Sequence, residues 1–391
     1  MPELFSAEMR RNPYPLYEHL RRESPVFHEP RAGLWMVFAY DDVKRVLTDH
    51  ASFSSRAAPP GGQPLDWMIF QDPPRQTKLR ALVLRAFTPR VIAALEPRIH
   101  TLVHELVDAA VARGQQMDVA ADLAVPLPLR VIADMIGIPF ADRARFQRWS
   151  DAILGLSETI AGGDGAEHAV IAYRAASAEM RAYLADAVPR RRERPEDDLL
   201  SRLVVAELDG DRLSDDEILG FFQLLLVAGS ETTTNLIGNA VLCFAERPEV
   251  PELLRTTPEL LPSVIEEVLR YRSPVQAMFR RTTHAIELHG QTVPADQLVL
   301  AMIGSANRDP AHFDRADRFE PTRDPNPHVA FGHGVHFCLG APLARLEGRI
   351  ALEYLLERVP RFELAGEWEP RKAFHIHGPI HLPIRLEPAD R

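Results

Sequence analysis

Between Ser214 and Pro248 the chain carries one uninterrupted helical pattern that is apolar on nearly every face. Ser214-Asp215-Asp216-Glu217 fits a capping box, in which the serine caps the helix and the glutamate reaches back. Arg247-Pro248 marks the other end. The roughly 32 residues between them make a rod of about 48 Å at 1.5 Å rise per residue. A helix of that length, apolar all round, belongs at the centre of a large domain. Its middle breaks the rule with Ala228-Gly229-Ser230-Glu231-Thr232-Thr233-Thr234-Asn235. A buried carboxylate is expensive without a partner or a task. Gly229 and Gly238 add ~1 kcal/mol each relative to alanine. The caps flank the whole segment and not the polar stretch. A turn between two short helices therefore explains less than a polar notch set into a buried helix.

Helical periodicity recurs at 90–112, 127–137, 165–187, 263–271 and 341–358. Strand-like runs are short, at 34–39, 285–288 and 298–303. The expected fold is mostly α with a small β lobe (α+β), a single large domain over residues 1–391 with the long helix at its centre. A net charge of -10 argues against a nucleic-acid partner. The basic run Arg190-Arg191-Arg192-Glu193-Arg194 lies between Pro189 and Pro195 and is expected to be a solvated loop. Two cysteines, Cys243 and Cys338, make no disulfide framework and no paired metal site. The start has no signal-like apolar region, and the polar notch interrupts the best candidate for a membrane anchor. A cytoplasmic protein with no membrane anchor is expected.

The second informative stretch is FGHGVHFCLGAPLARLEG at 331–348. Gly332, Gly334 and Gly340 loosen the backbone around Cys338, and Pro342 sits where a following helix tolerates proline best. A cysteine at a helix start is biased toward thiolate. Phe331 and Phe337 beside it are expected to shield it from water. Position alone leaves three roles open: a packed cysteine, a nucleophile with His333 or His336 as base, and a metal or haem ligand.

Phe331-Gly332-His333-Gly334-Val335-His336-Phe337-Cys338-Leu339-Gly340 resembles the cysteine-ligand loop of the cytochrome P450 family. Other stretches agree in order. Ala228-Gly229-Ser230-Glu231-Thr232 is similar to the family's oxygen-activation motif, and Glu267-Val268-Leu269-Arg270 to its ExxR pair. The segments 306–310, 317–319 and 326–328 resemble those leading to the cysteine loop, and 72–90 the helix along the haem edge. The likeness runs through nearly all of 12–386 and is closest to the soluble bacterial members.

The resemblance implies haem b as cofactor, with Cys338 as the iron's proximal ligand inside a loop shaped by Phe331 and Gly340. It implies a distal site on the long helix. There Ala228 lies beside the haem, Gly229 leaves room for dioxygen, Thr232 hydrogen-bonds it and Glu231 relays protons. The family more often has Asp at the position of Glu231. Arg80, Arg280 and His336 are implied as donors to the haem propionates, with Gln76 where a histidine is usual. Glu267 and Arg270 are implied to form a structural ion-pair network with Arg318. The histidines at 375, 377 and 381 suggest a metal site by spacing, since alternation would put His375 and His377 on one strand face. No carboxylate accompanies them, and the segment matches the family's substrate-lining turn.

The implied activity is a haem-thiolate monooxygenase that hydroxylates or epoxidises an apolar small molecule of fatty-acid, terpenoid, steroid or polyketide type with dioxygen. The expected pocket walls are Leu224, Val227, Ala228, Val275, Gln276, Ala277, His375 and Ile376. A loop from Ala57 to Phe70, with Pro59, Pro60, Gly61 and Gly62, has the composition of a mobile lid, and Trp67, Met68 and Phe70 give it apolar contacts. Electrons are expected from a separate ferredoxin and ferredoxin reductase, docking on Arg75, Lys78, Arg85, Arg345 and Arg349. The protein is expected to be a monomer. The alternatives are a peroxygenase on the same fold and a non-catalytic haem-binding sensor. A cysteine hydrolase built on Cys338 and His336 would leave the notch and the ExxR pair without a role.

Overall fold

The capping box forms. The Ser214 amide donates to the Glu217 carboxylate at 2.7 Å, and the Glu217 amide donates to the Ser214 hydroxyl at 3.2 Å. The computed structural model describes residues 6–30, 33–56, 67–158 and 166–386. The helices that position the site are α1 (Arg75–Ala86), α2 (Pro126–Ile136), α3 (Ala166–Glu193), α4 (Leu199–Val205), α5 (Asp215–Glu246), α6 (Leu261–Tyr271) and α7 (Ala341–Arg358). The long segment is one helix, α5, continuous through the notch.

By internal contacts the chain divides into two units. One comprises Met1–Ala57, His100–Pro126 and Thr232–Arg391, and the other Ala58–Ile99 and Leu127–Glu231. The first unit holds a five-stranded sheet in the order Val26–Glu29, Leu34–Val37, Leu298–Ala301, Met278–Thr282 and Phe53–Ser54. Only the pairing of Leu34–Val37 with Leu298–Ala301 is parallel. Side chains alternate across a strand, and here both faces are covered. Val299 and Ala301 pack with Val43, Val46, Phe53 and Phe313 on one face. Leu300 and Met302 pack with Tyr17, Met36 and Phe38 on the other. The first of these clusters also takes in Phe313, Ala316 and Val329, from the segment that leads into the cysteine loop.

Among its described residues the second unit is helical apart from a small hairpin, Glu207–Leu208 with Asp211–Arg212. One expectation holds only in part here. The basic run at 190–194 is solvated except at Arg191, but through Glu193 it is helix and not loop, because α3 runs through Pro189 to Glu193. Arg191 is buried and its Nε donates to Asp198 at 2.8 Å, while its Nη1 lies 2.8 Å from Glu196. Asp198 in turn caps α4, accepting from the Ser201 amide at 2.7 Å. A proline costs the helix one N–H, and here the helix continues past it into a buried ion pair that the local composition does not reveal.

Among the described residues no helix is long and apolar enough to cross a membrane. Residues 57–66 of the expected lid lie outside the described residues. Trp67 is described: its indole N–H donates to Gln223 at 3.0 Å, and its ring stacks on Phe70 with centroids 5.9 Å apart.

Candidate active site

The cysteine loop is built by backbone bonds. The Cys338 amide donates to the Phe331 carbonyl at 2.8 Å, the Phe337 amide to Gly334 at 3.1 Å, and the Gly332 amide to Val329 at 2.9 Å. Gly332 and Gly334 have φ of 73° and 70°, the left-handed region that glycine enters at little cost. A side chain at Gly334 would also press on Thr48, 3.1 Å from an added Cβ. Helix α7 starts at Ala341 with Gly340 as its N-cap, so Cys338 sits two residues ahead of the cap. The two cysteines are held differently. Cys338 is half-buried, whereas Cys243 is fully buried and its thiol is pushed up to about 11 by burial. Only Cys338 is placed to offer a reachable sulfur.

Beneath the loop, Glu267 and Arg270 are fully buried and joined by two bonds of 2.8 Å. Arg270 donates onward to the carbonyls of Asn307, Ala316 and Arg318 at 2.6–2.9 Å. Glu267 accepts from the Glu320 amide at 2.7 Å, from Arg323 Nε at 3.1 Å and from Asn326 at 3.2 Å. The expected third member, Arg318, contributes only its carbonyl, its residue being exposed. The guanidinium that completes the network is Arg323. Asn307 carries the network to the loop, its side-chain oxygen accepting from the Val329 amide at 2.8 Å.

The polar notch of α5 resolves into separate parts. Ser230 bonds back to the Leu226 carbonyl one turn earlier. Thr234 donates to the Ala124 carbonyl at 2.8 Å, and Asn235 accepts from Arg371 at 3.3 Å. These residues satisfy a buried helix surface. Glu231 is buried, while Thr232 is partly accessible. Leu225, Ala228, Gly229 and Thr232 fall on one stripe at i, i+3, i+4 and i+7, and all four are accessible on a helix buried almost everywhere else. Gly229 has a packing reason distinct from room for dioxygen: a Cβ there would lie 2.7 Å from Ile132 of α2. Gly238 likewise admits Pro379, 2.6 Å from an added Cβ.

Arg280 is buried on the strand Met278–Thr282, with Nη1 donating to the Phe279 carbonyl at 2.7 Å. His336 has its Nε2 3.0 Å from the Ser55 hydroxyl, a partner without any sequence signal. In the second unit Gln76 and Arg80 lie one turn apart on α1, the glutamine buried and the arginine half-buried. The expected substrate residues of the C-terminal part come together. Val275 bridges Ile376, and the Gln276 amide donates to the His375 carbonyl at 2.8 Å. Val275 and Ile376 are partly accessible, whereas Gln276 and Ala277 point inward. Gln276 Nε2 donates to the Ser273 carbonyl at 2.6 Å. Leu224 is buried on α5 and Val227 half-buried.

The three C-terminal histidines face different neighbours. His375 lies in a turn, not a strand, against Phe279 and Phe374. His377 faces the Arg11 carbonyl at 3.2 Å, and His381 faces Asp118 at 2.8 Å. Burial holds the His375 imidazole down to about 4. Burial, with Arg272 nearby, holds that of His377 down to about 3. The expected docking cations are mostly paired: Arg75 with Glu217 at 2.6 Å, Lys78 with Asp211, and Arg345 with Glu266 at 2.7 Å.

These residues suit a haem. A soft sulfur stands on a glycine-lined loop, where a Cβ added at Gly340 would lie 3.9 Å from Sγ. A buried arginine and an accessible stripe with a hydroxyl are the other parts that a propionate-bearing, oxygen-handling macrocycle needs. Comparison with known proteins agrees. The family model described as Cytochrome P450 matches residues 255–372. The chain is 43% identical to the Putative cytochrome P450 YjiB of Bacillus subtilis, over 90% of this chain and 88% of that one. It is 41% identical to the Erythromycin C-12 hydroxylase of Saccharopolyspora erythraea, over 93% and 92%. It is 40% identical to CYP109E1 from Bacillus megaterium, solved in complex with corticosterone, with a TM-score of 0.89 over 97% of this chain and 99% of that one.

Proposed function

This chain belongs to the cytochrome P450 family and is a haem-dependent monooxygenase, and on that premise we propose that it oxidises a bulky apolar molecule of steroid or polyketide type, with Cys338 as the thiolate ligand of haem b. The observation that carries this reading is the Cys338 loop, which presents the one reachable cysteine of the chain on glycine-supported backbone. We assign residues 1–391 to one haem-thiolate domain, which the extent of the likeness to known P450 chains supports.

When bound, the haem supplies dioxygen activation and accepts the electrons that drive it. The protein's residues do the rest. Cys338 donates electron density through its sulfur, and Phe331 and Gly340 shape the loop that holds it. Arg280 and His336, together with Arg80 and Gln76, supply N–H donors suited to carboxylate side groups. Thr232 presents a hydroxyl on the accessible stripe beside Ala228, and its Oγ1 donates a hydrogen bond during turnover. Glu231, next in the chain and buried, takes up a proton and passes it toward that hydroxyl. Leu224, Val227, Ala228, Val275 and Ile376 give apolar contact to the substrate. Gln276, Ala277 and His375 support that wall from behind.

A steroid or polyketide-type substrate is favoured over a fatty-acid or terpenoid one by two relatives: one is named a hydroxylase of erythromycin, and one was solved with corticosterone. Electrons are assigned to a separate ferredoxin and ferredoxin reductase. Two cysteines far apart in the chain and no paired-cysteine pattern suit a reducing, cytoplasmic setting. Thr232→Ala tests the proton path. It is expected to keep haem and substrate binding, to lower product formed per electron pair severalfold, and to raise hydrogen peroxide correspondingly. Unchanged coupling in that variant would remove Thr232 from the path.

A further inference from the structure

Helix α6 sets two adjacent carboxylates to different tasks. Glu267 holds the buried network under the loop, as described above. Its neighbour Glu266 grips Arg345 of α7 with both oxygens, Nε to Oε1 at 2.7 Å and Nη2 to Oε2 at 2.8 Å. His328 Nε2 lies 3.0 Å from the same carboxylate. The fork geometry of arginine fixes the plane of the guanidinium. That plane is set over Phe331, with the guanidinium carbon 4.5 Å from the ring centroid. The His328 ring lies against the same phenyl ring, with centroids 6.2 Å apart. The Phe331 carbonyl accepts the Cys338 amide at 2.8 Å. An unbroken line of contacts thus runs from carboxylate to guanidinium, to aromatic ring, to the backbone of the cysteine.

Charge follows the same line. Burial opposes ionisation of Glu266, yet the hydrogen bonds from Arg345 and His328 outweigh it and bring the carboxyl down to about 2. The bond to Glu266 raises the Arg345 guanidinium above its ordinary value, and the nearby Cys338 sulfur acts in the same direction. The pair is only partly exposed, at 39% for Arg345 and 29% for Glu266, so water screens it incompletely. A cation near the sulfur is therefore locked in place, with its anion held on its far side by the two-bond grip.

We propose that Glu266 and Arg345 are positioning residues that act through Phe331 to set the electrostatic environment of the Cys338 ligand, their two charges pulling the reduction potential of the bound haem in opposite directions. The inference rests on Cys338 being the haem ligand. Arg345 stabilises electron density at the ligand and iron, which favours the reduced state. Glu266 does the reverse. It also follows that the charge of Arg345 serves the loop and is not free for docking an electron donor.

The test is the haem midpoint potential of the purified, haem-loaded protein and of Glu266→Gln, Arg345→Gln and Arg345→Lys. The carbon monoxide spectrum is recorded for each. Glu266→Gln should shift the potential to more positive values and Arg345→Gln to more negative ones, with the thiolate-type band kept in both. Arg345→Lys, which keeps the charge, should stay nearer the parent. If Glu266→Gln does not load haem, the two Arg345 variants decide: loss of charge must lower the potential relative to its retention. Shifts of the same sign, or equal potentials in Arg345→Gln and Arg345→Lys, would overturn the proposal and leave a purely structural pair. A parent protein without a thiolate-type band would sink the haem-thiolate reading instead.

Discussion

Two stretches of this chain spell nearly the same word. Glu252-Leu253-Leu254-Arg255 and Glu267-Val268-Leu269-Arg270 each put a glutamate one helical turn before an arginine. Both pairs form, with contacts of 2.5 Å and 2.8 Å. The first is 61% and 56% exposed, and the second has no exposure at all. Water completes the first pair and screens it. The protein must complete the second, and it does so with three carbonyls for Arg270 and with Arg323, Asn326 and a backbone amide for Glu267. The letters are shared. What differs is the supply of partners, which comes from residues 37 to 59 positions further along the chain.

The largest effect should come from emptying the buried pair. Arg270→Met leaves Glu267 buried without its main partner, a change expected to cost about 3–5 kcal/mol. Because the network also ties Asn307 and Val329 to the cysteine loop, haem uptake should fall with stability. Chemical denaturation and haem content measure both. Near-parental stability would mean that the buried pair is no more important than the exposed one.

A smaller effect separates groups buried with partners from groups buried neutral. Glu347 of α7 is fully buried, and burial pushes its carboxyl up to about 8. The folded chain therefore holds a proton there that the unfolded chain releases near its ordinary value. Stability from this site is whole at acid pH and is lost as pH rises through about 8. His375 and His377, held down to about 4 and about 3, act at the other end. Unfolded histidine protonates first, so their contribution is present above the ordinary histidine range and is lost as pH falls toward those values. Glu347→Gln should flatten the alkaline limb of a stability–pH profile, and His375→Asn the acid limb. An unchanged alkaline slope in the glutamine variant would show that Glu347 is not the group responsible. The smallest effect belongs to Arg255→Ala, expected to leave the melting temperature and haem content at parental values. A clear loss of either would erase the contrast between the two pairs.

The long helix and its caps, and the cysteine loop, were legible because each carries a local signal: an apolar period, a capping box, glycines around a cysteine. Three short strands were legible in position, but Val26–Glu29, Met278–Thr282 and Phe53–Ser54 of the main sheet were not, and no partner was, since Leu298–Ala301 pairs with a segment more than 250 residues away. What local signals hid was who completes whom. Arg323 and not Arg318 joins Glu267, Ser55 meets His336, and Gly229 makes way for Ile132. In the basic run at 190–194 proline and charge rightly suggest solvent for all but Arg191, while the continuation of the helix to Glu193 and the burial of Arg191 against Asp198 carry no local signal. Within the notch, Ser230, Thr234 and Asn235 bond to neighbouring backbone or side chains, which leaves Glu231 and Thr232 as the residues proposed to react.

The central claim is that Cys338 binds the haem iron as a thiolate. A carbon monoxide difference spectrum of the dithionite-reduced protein tests it most directly. The account predicts the far-red-shifted Soret band of a thiolate-bound haem, lost in Cys338→Ser. A band at the ordinary histidine-type position, or no haem in a folded protein supplied with it, would contradict the account.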